Sequence, residues 1–288
     1  MIMNEFEQNF NNIKQVLISL IPYMTHLRTR DWERIKKSYK KRLEMLKEGV
    51  IPPKSVIDLA VAAIHPDQEH PCAQHYKCWL LGLNKAIEDA IAYSSYNKQI
   101  AKQIEGKIVA LLTTVEATTD LNSDFKNTLN ELLVFNFLCN CENIEVVQIE
   151  TKLENGKSID YVVWHKVDNK RIGYEVVTLQ NVNPEKQDDN ESMKVFLNAR
   201  LEQKYKDKTK ELSEIEDLDD LRIFPIIEDQ GGLEKFDYEI YSDISCPFYI
   251  PIFGREEDGT YKICLLSAQE YFKKCREGAV LPYMPIDK

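Results

Sequence analysis

Apolar positions in the first third of the chain recur at helical spacing. Phe6, Ile13, Val16, Leu17, Leu20 and Ile21 form one stripe. Trp32, Ile35, Tyr39, Leu43 and Leu46 form a second, which Asp31 is placed to cap. Pro52-Pro53 ends that helix, because proline removes a donor and clashes with the preceding turn. Further helices are predicted over Ser55–Ala63, Tyr76–Tyr93 and Gln99–Thr118. After Asp120 the pattern changes. Asn122-Ser-Asp124 is an N-cap cluster for a helix that turns Phe125, Leu129, Leu132, Leu133, Phe137 and Leu138 inward. The residue types then become those of strands, at Val146–Glu150, Ile159–Trp164 and Ile172–Leu179. A polar stretch leads to a long helix at Ser192–Leu212, and Arg222–Ile227 reads as another strand. Glu256-Glu-Asp-Gly259 is a hairpin turn between Phe248–Phe253 and Tyr261–Leu266. Ser267-Ala-Gln-Glu270 is a capping box for a last helix that Gly278 stops. The chain thus divides into an α-helical N-terminal region, residues 1–120, and an α/β domain, residues 121–288.

Composition narrows the classes. A hydrophobic content of 43% is enough to bury a substantial core. No run of about 18 apolar residues spans a membrane, and the N-terminus lacks the basic region and apolar core of a signal peptide. The expected location is the cytoplasm. The 7 cysteines, scattered from Cys72 to Cys275, do not read as a disulfide framework. A net charge of −10 disfavours non-specific coating of nucleic acid. Any such contact has to be local, and the richest basic cluster is Lys194, Arg200, Lys204, Lys206, Lys208 and Lys210. A second basic helix carries Lys36, Lys37, Lys40, Lys41 and Arg42, and reads as a solvated face.

The segments Ser158-Ile-Asp160-Tyr-Val-Val-Trp-His and Gly173-Tyr-Glu175-Val-Val-Thr each set an acid among β-formers. The polar turn between them, Val167-Asp-Asn-Lys-Arg171, makes them adjacent antiparallel strands. Val162 and Trp164 share a face with Asp160, as Val177 and Leu179 do with Glu175, so both carboxylates point inward. A carboxylate among apolar side chains is costly unless compensated, and a divalent cation is the commonest reason to tolerate two. Asp160 and Glu175 are therefore the candidate metal ligands.

The order helix, three strands, helix, strand, with these acids in place, resembles the restriction-endonuclease-like, or PD-(D/E)XK, nuclease superfamily over Asp124–Ile227. The resemblance implies a mixed-sheet nuclease core and Mg²⁺- or Mn²⁺-dependent hydrolysis of phosphodiester bonds, in restriction, defence or repair. It implies nucleic acid as partner, with DNA the first expectation and RNA left open, and allows a homodimer. Glu131 matches the glutamate of the family's first helix, Asp160 its aspartate and Glu175 the glutamate of the next strand. Ile159 stands where the family has proline, and Val177 where it has lysine. Some members supply that lysine from the following helix, which here offers Lys204 and Lys208. Gln203 and Gln180 are further polar candidates. The alternative is a non-catalytic interaction protein that retains the nuclease fold without its lysine.

His65, His70, Cys72, His75 and Cys78 lie close together in sequence, but not at zinc-finger spacing. They read as a proline-punctuated loop entering a helix, without zinc.

Overall fold

In a computed structural model of the chain, the described residues are 5–47, 55–64, 71–114, 124–152, 157–179, 190–209, 218–227 and 247–278. Pro52-Pro53, His65, His70, Asn122-Ser123, Gln180 and Lys210 lie outside them. Among the described residues, α-helices α1 (Glu5–Leu20), α2 (Thr29–Lys47), α3 (Val56–Ala63), α4 (Pro71–Ser94), α5 (Lys98–Thr113) and α6 (Asp124–Cys139) precede the first strand. The two N-terminal stripes are buried at Ile13, Leu17, Leu20 and Ile21, and at Trp32, Ile35 and Tyr39. α2 begins at Thr29, before Asp31. Asp31 therefore acts from the first turn, where its carboxylate accepts a hydrogen bond from the Arg28 N–H at 3.1 Å. α4 begins at Pro71, ahead of the predicted Tyr76, since proline is tolerated in a first helical turn. His75 and Cys78 are consequently helical. α5 stops at Thr113, because Thr114 is extended.

Among the described residues the strands are β1 (Ile144–Lys152), β2 (Ser158–His165), β3 (Lys170–Leu179), β4 (Asp220–Ile227), β5 (Tyr249–Arg255) and β6 (Tyr261–Ser267). They form one mixed sheet in chain order. β1, β2 and β3 are an antiparallel meander. Helix α7 (Asn190–Thr209) crosses over to β4, which runs parallel to β3. β4 meets β5 in parallel at the pair Ile226↔Tyr249, and β5 and β6 form the predicted hairpin. Its turn places Gly259 at φ +88°, which favours glycine. The Ser267 hydroxyl and Glu270 carboxylate complete the capping box of α8 (Ala268–Arg276). The fold is thus mixed α/β. No helix among the described residues is long and apolar enough to cross a membrane.

One buried cluster runs from Phe10 on α1 to Ala268 on α8 and joins the N-terminal helices to the sheet. α4 is central to it: Trp79 is fully buried and its ring lies 6.1 Å from that of Phe125 on α6. Gly82 permits α4 to approach β6, because a Cβ there would meet Ile263 Cγ1 and the Lys262 backbone at 3.2 Å. At the other end of the sheet, α5 and the turn before it cover the outer strand. Tyr96 donates its hydroxyl to the Val146 carbonyl at 2.5 Å, and Gln103 Nε2 donates to the Ile149 carbonyl at 2.6 Å. Both bonds satisfy edge carbonyls of β1. They also set the next turn of α5, with Lys107, beside Glu150.

A leucine at Gly82 should force α4 away from β6. The expected cost is about 1–3 kcal/mol, as for other overpacked cores, read as a lower midpoint in chemical denaturation. An unchanged midpoint would mean that helix and strand do not meet this closely.

Candidate active site

Two tethers hold α6 to the sheet. Tyr161 on β2 donates its buried hydroxyl to the Glu131 carbonyl at 2.6 Å, and Asn130 Nδ2 donates to Thr178 Oγ1 on β3 at 3.1 Å. Glu131 is thereby fixed where helix and strands meet. In the β2–β3 ladder Tyr161 faces Tyr174. The next residues along the two strands, Asp160 and Glu175, therefore stand opposite each other. Side chains at such positions share a face, with Cβ atoms ~4.5–5.5 Å apart. Asp160 Oδ2 accepts the Val176 N–H at 2.7 Å, so a side chain ties the strands together beyond the last backbone pair.

Glu175 is 5% exposed. Its Oε1 lies 3.0 Å from Lys208 Nζ, which also donates to the Ser158 carbonyl at the start of β2. Its Oε2 is buried and has no hydrogen-bond partner among the described residues. Helix α7 thus delivers Lys208 to the Glu175 carboxylate. Lys204, the other expected lysine, is exposed, and its positive charge reaches Glu175 through space. Gln203 is turned outward to Asp207, at 2.7 Å. Lys208 points inward, so it adds nothing to the basic surface of α7, where Lys206 pairs with Glu202 at 3.1 Å.

Glu131 is not alone. Its Oε2 lies 2.6 Å from Lys107 Nζ, and the same ammonium lies 2.6 Å from Glu150 Oε1. Lys107 is 7% exposed. Glu150 has φ +50°, a left-handed conformation uncommon for any residue but glycine. It falls between the pairs Ile149↔Tyr161 and Thr151↔Ile159, level with Asp160. Glu150, Asp160 and Glu175 therefore form a row across three strands, with Lys107 and Lys208 at its two ends. Lys107 and Glu150 were missed in the sequence. The available signal was a lysine beside the apolar stripe Ile100, Ile104, Ile108 and Leu111.

These charges shift one another. Loss of water pushes the Asp160 carboxyl up to about 8, with the negative charges of Glu175 and Glu131 adding to the effect. The Val176 N–H and Lys107 oppose it. Burial also raises Glu175, against the pull of Lys208 and Lys204. For Lys107, burial lowers the pKa, but Glu131 and Glu150 outweigh it and the net direction is upward.

Asp160 and Glu175 offer hard oxygen donors, one of them unpartnered, which fits Mg²⁺ or Mn²⁺. Mg²⁺ is commonly held by one or two carboxylates, with water and phosphate completing its shell. Among the described residues no three histidine, cysteine, aspartate or glutamate side chains converge closely enough to hold an ion by themselves. His75 packs edge-on against Phe253, with centroids 5.5 Å apart, and Cys78 is buried. His65, His70 and the Cys72 side chain lie outside the described residues. A cavity of about 770 Å³ opens elsewhere, lined by Phe137, His165, Tyr174, Phe224 and Tyr249, and none of the site acids borders it. No family model matches the chain, and neither a curated protein nor a solved structure does.

An aspartate in an unfolded chain ionises near 3.9. Between about pH 4 and pH 8 the unfolded chain therefore releases a proton that folded Asp160 keeps, and stability falls as pH rises through that window. Asp160→Asn should raise the metal-free Tm by roughly 5 °C at about pH 8 and by less at about pH 5. Equal shifts at the two pH values would contradict this electrostatic account.

Proposed function

We propose that this protein is a metal-dependent nuclease of the restriction-endonuclease-like type. The observation that carries the reading is the facing pair Asp160 and Glu175, with a buried, unpartnered Glu175 oxygen and the Lys208 ammonium beside the same carboxylate. The element order from α6 to β4 supports it: a helix, an antiparallel meander, a crossover helix and a strand parallel to the third.

Asp160 and Glu175 would hold one divalent ion. When bound, the ion supplies the Lewis acidity that polarises a scissile phosphate and lowers the pKa of an attacking water. The chain's own groups do the rest. Glu175 anchors Lys208, which places a positive charge where negative charge develops during phosphoryl transfer. The Val176 N–H fixes one Asp160 oxygen and leaves the other free to turn toward the ion. Glu131 borders the site and raises the Asp160 carboxyl through its negative charge. The exposed lysines of α7, Lys204 among them, supply a local surface for phosphates on a chain that is otherwise acidic.

Purified protein with Mg²⁺ or Mn²⁺ should cleave single- or double-stranded DNA, and chelation should stop it. Asp160→Asn and Glu175→Gln should each lower the rate by roughly 100-fold or more. Lys208→Ala should lower kcat by about 10–1000-fold, the range for loss of a charge-stabilising group or a proton carrier. Lys204→Ala should act mainly on KM. A chain that binds DNA through α7 but cleaves neither DNA nor RNA with either metal would instead be a non-catalytic interaction protein.

A further inference from the structure

The proposed metal pair accounts for two of four acids. Glu131 and Glu150 are left, and both are already taken by Lys107, at 2.6 Å each. Lys107 comes from α5, in the helical region that precedes the α/β part of the chain. Its stem lies on the buried side of the helix, between Ile104 and Ile108, and its ammonium emerges among carboxylates. The charge of Lys107 also reaches Asp160, which it helps to ionise. An ammonium held by two carboxylates on one side of a third is where a second divalent ion would sit in a two-ion site.

We infer that Lys107 is the resident cation of this site: it occupies the position of a second ion and holds Glu131 and Glu150 in place, so that the site takes one divalent ion at Asp160 and Glu175 instead of two. The charges agree. With every carboxylate ionised, the four acids carry four negative charges and Lys107 and Lys208 offset two. One divalent ion brings the cluster to neutrality, and a second would leave two positive charges unbalanced beside the buried Lys107 and Lys208. Glu150 belongs to the same device. Its left-handed backbone, φ +50°, is a strained geometry that directs its carboxylate to Lys107. Lys107 is thus a positioning residue, acting through the carboxylates it binds.

The inference rests on the reading of Asp160 and Glu175 as metal ligands, and the stoichiometry of Mn²⁺ separates the two. Full-length protein and the variants Lys107→Met, Lys107→Gln and Lys107→Arg should be titrated with Mn²⁺ by calorimetry and electron paramagnetic resonance, with circular dichroism to confirm folding. The expected counts are about one ion per wild-type chain, about two for the methionine and glutamine variants, and about one for arginine, which keeps the cation. A merely structural lysine would not change the count when replaced. Two ions in the wild type, or one in every variant, would overturn the role of Lys107 and leave the metal pair standing. No ion in the wild type and one in Lys107→Met would support the resident cation and sink the Asp160–Glu175 site. No ion in any form would overturn both.

Discussion

Carboxylates packed side by side repel, and the repulsion grows as water is withdrawn. Glu150, Asp160 and Glu175 stand level across β1, β2 and β3, with Glu131 of α6 next to them. Much of the architecture around them answers that constraint. Lys107 enters from α5 and Lys208 from α7, each nine-tenths buried or close to it, and each ammonium is bonded to a carboxylate of the cluster. Removing one partner of such a pair would leave a buried charge uncompensated, which is the expensive outcome. One lysine precedes the strand meander in sequence and the other follows it, so α5 and the crossover helix must both be docked before the row is neutralised. The continuous core from α1 to α8 supplies that docking.

The compensation is incomplete. Asp160 keeps its proton toward neutral pH, and Glu175 retains an oxygen with no partner among the described residues. Both are features of a place that is more stable with another cation than without one. Natural proteins tolerate unsatisfied buried groups at few positions, and such positions concentrate where chemistry or binding occurs. The proposal of a metal site rests on this local deficit of positive charge.

Much of this could be read from the residues. The apolar period separated helices from strands, and the capping signals at Ser267 and Gly278 placed the last helix. Asp160 and Glu175 stood out because acids interrupt apolar strands, and the valine at position 177 directed attention to the lysines of α7. Which of these turns inward was beyond a periodic argument, since Lys204 and Lys208 lie one turn apart on the same helix. The structure resolves it through the contact of Lys208 with both Glu175 and the Ser158 carbonyl. Glu150 and Lys107 were hidden for different reasons. A register shift between Val146 and Gln148 breaks the two-residue alternation of β1, so the face of Glu150 could not be counted from its neighbours. Lys107 lies 43 residues from Glu150 in sequence, and nothing local announces a pairing that only the docking of α5 on the β1 edge creates. The helix start at Thr29 was displaced because Arg28, the residue before it, offers no side-chain acceptor with which a sequence could mark it.

The central claim is that Asp160 and Glu175 converge on one cation beside Lys208. Its most direct test is a crystal structure of the protein grown with Mn²⁺, read by anomalous scattering. The account predicts a peak at about 2.0–2.3 Å from an oxygen of each carboxylate, with Lys107 still between Glu131 and Glu150. Carboxylates of Asp160 and Glu175 on opposite faces of the sheet, or a peak held by other residues with this pair empty, would contradict it.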